Sequence, residues 1–256
     1  MEGFRLAARF SIATNRLNYC GPADAAPVLY RAIVDGSDRA ATEEALAQFE
    51  ALYPYLEAIA RKHGRHPFDP EVVEAYWIGN ALLDDFGRED FPPLLRALVA
   101  RGLPGFVARE LERDLPAHPI PHHLFHVLFV GVGSVTGHVT TNLSNAELCR
   151  PGWGKVREIG PNQLEVQQST LVAAEGGVAL GEDRRATIAY DRRMLPDLAV
   201  GDTIAVHWGW GALRLERSQA EALERYTRRS IAAAHRRGVL DSRLADPEAG
   251  RGTTAG

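Results

Sequence analysis

Apolar residues recur at helical spacing through the first half of the chain. Phe4, Leu6, Ala7, Phe10, Ile12 and Leu17 spread over one broad face, which predicts a helix over residues 4–17. Asn18-Tyr19-Cys20-Gly21-Pro22 stops it, because glycine and proline punctuate helices. Val28, Leu29 and Ile33 predict a second helix, with Asp24 as its cap and Pro27 in its first turn. Ala45, Phe49, Leu52, Leu56, Ile59 and Ala60 step by three and four and predict a third helix over 38–64, which Pro54 should kink or break. Asp69-Pro70 opens a fourth over 71–83, with proline at the first helical position. Within it, Tyr76-Trp77-Ile78-Gly79-Asn80 reads as helix packing. Two shorter helices, 94–100 and 105–115, are separated by Gly102 and Pro104.

The pattern changes in the second half. After a proline-rich break at 116–121, residues 121–130 mix three histidines with apolar residues and fit a helix or a buried strand, which periodicity does not separate. Gly131, Gly133 and Gly137 follow. From Cys149 onward, residues 155–159, 163–170, 185–190 and 203–207 are short and β-branched with partial alternation. Gly160-Pro161-Asn162, Glu175-Gly176-Gly177 and Val200-Gly201-Asp202 lie between them as turns. This spacing predicts a small, OB-like β-barrel. An amphipathic helix over 218–235 closes it, with Ala222, Leu223, Tyr226, Ile231 and Ala234 inside and Ser218 and Glu221 at capping-box spacing. The expected fold is therefore α+β. A helical domain (1–116) and a His-rich connecting segment (117–148) precede the barrel with its helix (149–237), and a polar tail (238–256) is expected to be disordered.

Composition narrows the function classes. The 256 residues are 45% hydrophobic and 24% charged, with a net charge of −4. That balance gives no general attraction to nucleic acid or to an anionic membrane. The N-terminal stretch lacks a signal-peptide pattern, and no apolar run approaches the roughly 18 residues of a membrane span. Two widely separated cysteines, Cys20 and Cys149, read as free thiols of a cytoplasmic protein. Cys20, at a helix end, is a candidate reactive site; a small residue packed in a turn is the plainer reading. Phosphate-loop, nucleophile-elbow and paired CxxC motifs are absent, and Gly131-Val132-Gly133 has no dinucleotide-binding context.

Three ordered stretches carry a resemblance. The first is Cys149-Arg150-Pro151-Gly152-Trp153-Gly154-Lys155-Val156. The second is Arg184-Arg185-Ala186-Thr187-Ile188 running to Met194-Leu195-Pro196-Asp197. The third is Val200-Gly201-Asp202-Thr203-Ile204-Ala205-Val206-His207-Trp208-Gly209-Trp210-Gly211, which leads into an acidic, Ala-rich helix. Together they resemble the HypC/HupF-type [NiFe]-hydrogenase maturation chaperones over roughly 90 residues. The resemblance implies a non-enzymatic accessory protein that binds or delivers an Fe(CN)₂CO fragment, with a hydrogenase large-subunit precursor or a maturation scaffold protein as partner. It makes Cys149 and His207 the iron-holding positions. In that family the cysteine is N-terminal, whereas Cys149 is internal.

A second constellation lies upstream: His118, His122, His123, His126 and His138. On a helix His122 and His126 sit at i and i+4, a spacing that lets two imidazoles share a metal with Cys149 and His207. Trp153, Trp208 and Trp210 are spaced for an aromatic docking surface nearby; packing into the barrel core is the plainer reading. The alternative function is a metal-dependent enzyme with a His/Cys iron site between the helical domain and the barrel.

Overall fold

The computed structural model describes residues 1–235, so the tail 238–256 and the last residues of the segment drawn to 237 lie outside the described residues. The molecule is a mixed helix-and-sheet structure. Seven helices come first: α1 (Gly3–Arg16), α2 (Ala26–Asp35), α3 (Arg39–Leu46), α4 (Leu52–His63), α5 (Pro70–Trp77), α6 (Phe91–Val99) and α7 (Gly105–Arg113). Helix α2 starts without Asp24: its N-cap is Ala25, and Pro27 lies in the first turn as expected. The break expected at Pro54 comes earlier, between α3 and α4. Pro54 occupies the first turn of α4, where its missing N–H costs nothing. Asp69 caps α5, accepting from the Glu71 N–H at 2.9 Å. That helix ends at Trp77, short of the expected 83, because Gly79 turns the chain with φ +99°.

The ambiguous stretch at 121–130 is helical. A short helix α8 (His123–Phe125) runs into a π-helical turn, His126–Gly131, and every residue from Ile120 to Val132 is buried. Burial on all sides removes the periodicity that would have marked a helix. Next comes α9 (Leu143–Cys149), which the sequence reading did not anticipate; Asn142 caps it by accepting from the Asn145 N–H at 2.7 Å. Cys149 thus ends a helix and does not head a strand.

Five strands follow: β1 (Gly152–Ile159), β2 (Gln163–Ala174), β3 (Gly177–Ala189), β4 (Thr203–His207) and β5 (Trp210–Arg214). The sheet closes on itself in the order β1-β2-β3-β5-β4. Strand β1 pairs antiparallel with β2 and β4, while β3 meets β5 at the single parallel pair Ala189↔Trp210. Strand β5 was missed because only a two-residue turn separates it from β4. Helix α10 (Arg217–His235) follows. Ser218 and Glu221 fall within its first turns and make no capping box: the Glu216 N–H donates to the Gln219 side chain at 3.1 Å, and Glu221 pairs with Arg217. No helix among the described residues is long and apolar enough to cross a membrane.

Val156, Leu164, Val166, Ile188, Ile204 and Val206 fill the closed sheet. The largest apolar cluster is shared. It runs from α1–α7 into Ala205 of β4, Ala212 and Leu213 of β5, and Leu223 and Tyr226 of α10. Buried Arg9 joins the two parts, donating from Nη1 to the carbonyls of Met194 at 2.7 Å and Ala212 at 3.2 Å. Burial, reinforced by nearby Arg5, lowers its pKa to about 10.

The junction of α5 with α10 is correspondingly tight. A Cβ at position 79 would lie 2.1 Å from the Tyr226 ring, at a φ that disfavours any side chain. Gly79→Ala is expected to cost about 2 kcal/mol or more. Urea unfolding measures it; an unchanged midpoint would contradict this packing.

Candidate metal centre

Local backbone chemistry brings Cys149 and His207 together. Trp208 (φ +51°) and Gly209 (φ +68°) are both left-handed, the requirement of a tight two-residue hairpin between β4 and β5. The Trp208 N–H at the hairpin tip donates to the Leu148 carbonyl at 2.7 Å, so the end of β4 is bonded to the end of α9. Arg150, with its side chain fully buried, fixes the other side of Cys149. It pairs with Glu147 at 2.6 Å and donates to the Ser169 carbonyl, and Glu147 accepts from the Leu171 N–H at 2.7 Å. Those bonds span the irregularity in β2–β3 pairing between Ser169 and Leu171.

The third member is His123, the first residue of α8. One potential ligand atom from each of His123, Cys149 and His207 lies within 4.8 Å of the others. Thiolate and imidazole ligands sit about 2.0–2.3 Å from an ion, so this set stands near the spacing that one ion requires. His207 Nδ1 lies 2.7 Å from the Phe10 carbonyl. A carbonyl only accepts, so Nδ1 carries the proton and Nε2 holds the lone pair, buried and without a hydrogen-bond partner. His123 Nε2 lies 2.9 Å from the Cys149 carbonyl and 3.6 Å from the Cys149 thiol, while Nδ1 lies 2.8 Å from the Tyr76 hydroxyl. In this state Nε2–H donates to the carbonyl and Tyr76 donates to Nδ1. Ligation through Nε2 moves the proton to Nδ1, and the Tyr76 hydroxyl, both donor and acceptor, serves either tautomer.

The surroundings are apolar. The Trp77 ring lies 4.4 Å from His123 and 5.1 Å from His207, and it stacks on Phe10 at 4.8 Å. Burial lowers the His207 pKa to about 4 and drives His123 well below its usual range, so both rings are neutral. Burial also raises the Cys149 thiol, so a cation binding there must displace its proton. A cavity of about 50 Å³ adjoins the cluster, lined in part by His123, Cys149, Cys20, Tyr19 and Trp208.

The other expected residues are placed differently. His122 has extended backbone (φ −97°, ψ 147°), so it does not share a helical face with His126. Its Nδ1 accepts from the Leu124 N–H, and its ring lies over Tyr226. His126 bonds the Tyr55 hydroxyl at 3.2 Å. Neither belongs to the cluster of three, and His118 and His138 are exposed. The three tryptophans are half-buried, each with its own partner: Trp153 with Arg150, Trp208 with Tyr19, and Trp210 with Arg16. Sequence reasoning missed His123 as the third member and Tyr76 as its partner. No spacing rule links positions 76, 123, 149 and 207.

The chain belongs to a family of unknown function, DUF6390, whose model matches residues 1–240 and so spans the helices and the strands alike. No curated protein matches the chain, and no solved structure does.

Tyr76→Phe is expected to weaken divalent metal binding about 10–100-fold while the fold persists, as loss of an outer hydrogen bond to a ligating histidine does. Competition titration with Co(II) measures this; unaltered affinity would remove Tyr76 from the centre. The metal-free protein should also be acid-sensitive. The pKa of His122 is pressed to about 3 and those of His126 and His207 to about 4, chiefly by burial, from an ordinary 6.5. Below pH 6.5 the unfolded chain takes up protons that the folded one refuses. Stability is therefore full above that pH and is lost as pH falls toward 4, at about 1.4 kcal/mol per pH unit for each such ring. Urea midpoints at pH 7 and pH 5 test the sign, and a flat profile would mean that these rings are hydrated.

Proposed function

We propose that this protein is an accessory protein of [NiFe]-hydrogenase maturation, which holds an iron fragment as cargo at Cys149, His207 and His123. One observation carries the reading. Cys149 and His207, the two positions to which the chaperone resemblance assigns iron, lie with a third potential ligand inside 4.8 Å. A thiolate and two neutral imidazoles suit a borderline metal such as Fe(II). Three protein ligands leave further positions for non-protein ligands, as cargo that must be handed on requires.

Cargo is preferred to turnover because the resemblance that marks Cys149 and His207 is to non-enzymatic carriers of an iron fragment. In this proposal the partner is a hydrogenase large-subunit precursor or a maturation scaffold protein, and the setting is the cytoplasm.

The test has two parts. Protein loaded anaerobically with Fe(II) should bind about one iron per chain, and Cys149→Ala, His207→Ala and His123→Ala should each lose most of it. Affinity capture from hydrogenase-producing cells should recover the large-subunit precursor or a maturation protein. Iron binding indifferent to all three substitutions would sink the site, and recovery of neither partner would sink the pathway.

A further inference from the structure

Both cysteines of the chain line the same cavity, together with His123 and His126. With only two cysteines in 256 residues, their meeting at one small opening calls for a reason. The cavity holds about 50 Å³, several times the ~10–15 Å³ that one water needs. Its floor is buried at His123 and His126, and its rim is partly exposed at Tyr19, Cys20 and Trp208. It thus leads from the surface to the His123–Cys149 side of the cluster.

Cys20 is held in place at this rim. Asn15 Nδ2 donates to the Cys20 carbonyl at 3.1 Å and to the Pro22 carbonyl at 2.7 Å. The neighbouring Tyr19 ring packs 4.7 Å from Trp208, whose backbone is bonded to Leu148. The segment carrying Cys20 is therefore pinned against the segment carrying Cys149. Yet Cys20 lies outside the set of three potential ligands within 4.8 Å. Its position is that of a donor on the way to the cluster.

Building on the metal reading above, we infer that this cavity is the route by which a thiophilic divalent cation reaches the buried cluster, and that Cys20 is the first protein ligand on that route. The cation bonds to the Cys20 sulfur, and the displaced proton leaves to water at the rim. The cation–sulfur bond to Cys20 then breaks as the bond to Cys149 forms, and the Cys149 proton passes to the Cys20 sulfur. One proton is released per cation, and no oxidant or reductant is consumed.

Stopped-flow uptake of Co(II) by the full chain tests this, read as thiolate-to-cobalt absorption. Cys20→Ser should reach the wild-type end point with the same Kd, but load about tenfold more slowly or worse, since a stepping ligand lowers only the barrier. Release to a chelator should slow by the same factor. Cys149→Ser should instead lose affinity. Cys20→Ala, with its unfolding midpoint measured alongside, guards against a folding defect in the serine variant. Loading at the wild-type rate in both Cys20 variants would overturn the route. A fall in their equilibrium affinity matching that of Cys149→Ser would make Cys20 a resident ligand and overturn its transit role. Wild type that takes up no cobalt would remove the metal reading itself and the route with it.

Discussion

Helix α1 has twelve of its fourteen residues buried, and a helix buried nearly all round needs partners on every side. Helices α2, α3 and α5 supply some of them, and β5 supplies the rest. Two polar links fix the seat. Arg9 donates to the carbonyls of Met194 and Ala212, and His207 donates to the carbonyl of Phe10. Each satisfies a group that would otherwise be buried without a partner. The second link also selects the His207 tautomer. The packing of the first helix on the strands thus sets the chemistry at residue 207, about 200 positions away in the chain.

Low polarity does the rest. The groups around His123, Cys149 and His207 are largely apolar, so burial keeps the imidazoles neutral and raises the thiol. The cluster therefore carries no charge when it is metal-free, and the helices close over it without a buried-ion penalty. A cation bound there would exchange a proton for a metal charge, which would keep the net change small. Tyr76 and the Phe10 carbonyl hold the rings of His123 and His207 from outside the cluster, and both come from the helical region, from α5 and α1. The helical region thus orients the two histidines as well as covering them.

Much of the fold was legible in residue order. Helices with one apolar face against a polar one, such as α4 and α10, announced themselves by spacing, and the strands of the closed sheet by β-branched runs between glycine turns. Errors arose where burial or brevity erased the pattern. The 121–130 stretch is buried on all sides and shows no period. Strand β5 is separated from β4 by two residues, and helix α9 has only seven residues, with a single buried one at Ala146. His122 and His126 looked paired because a helix was assumed at position 122. An extended residue there turns the ring toward Tyr226 instead.

Residue order was enough for much of the alternation of helical and stranded segments and for the turns between them, and a family resemblance singled out Cys149 and His207 as candidates. These are local properties, written in spacing, in glycine and proline placement and in short motifs. Packing alone brings His123 within reach of them, sets the Tyr76 hydroxyl beside it and places Cys20 at the same opening. Those relations join residues 20, 76, 123, 149 and 207 through packing around α1, and no periodicity along the chain encodes contacts across such separations.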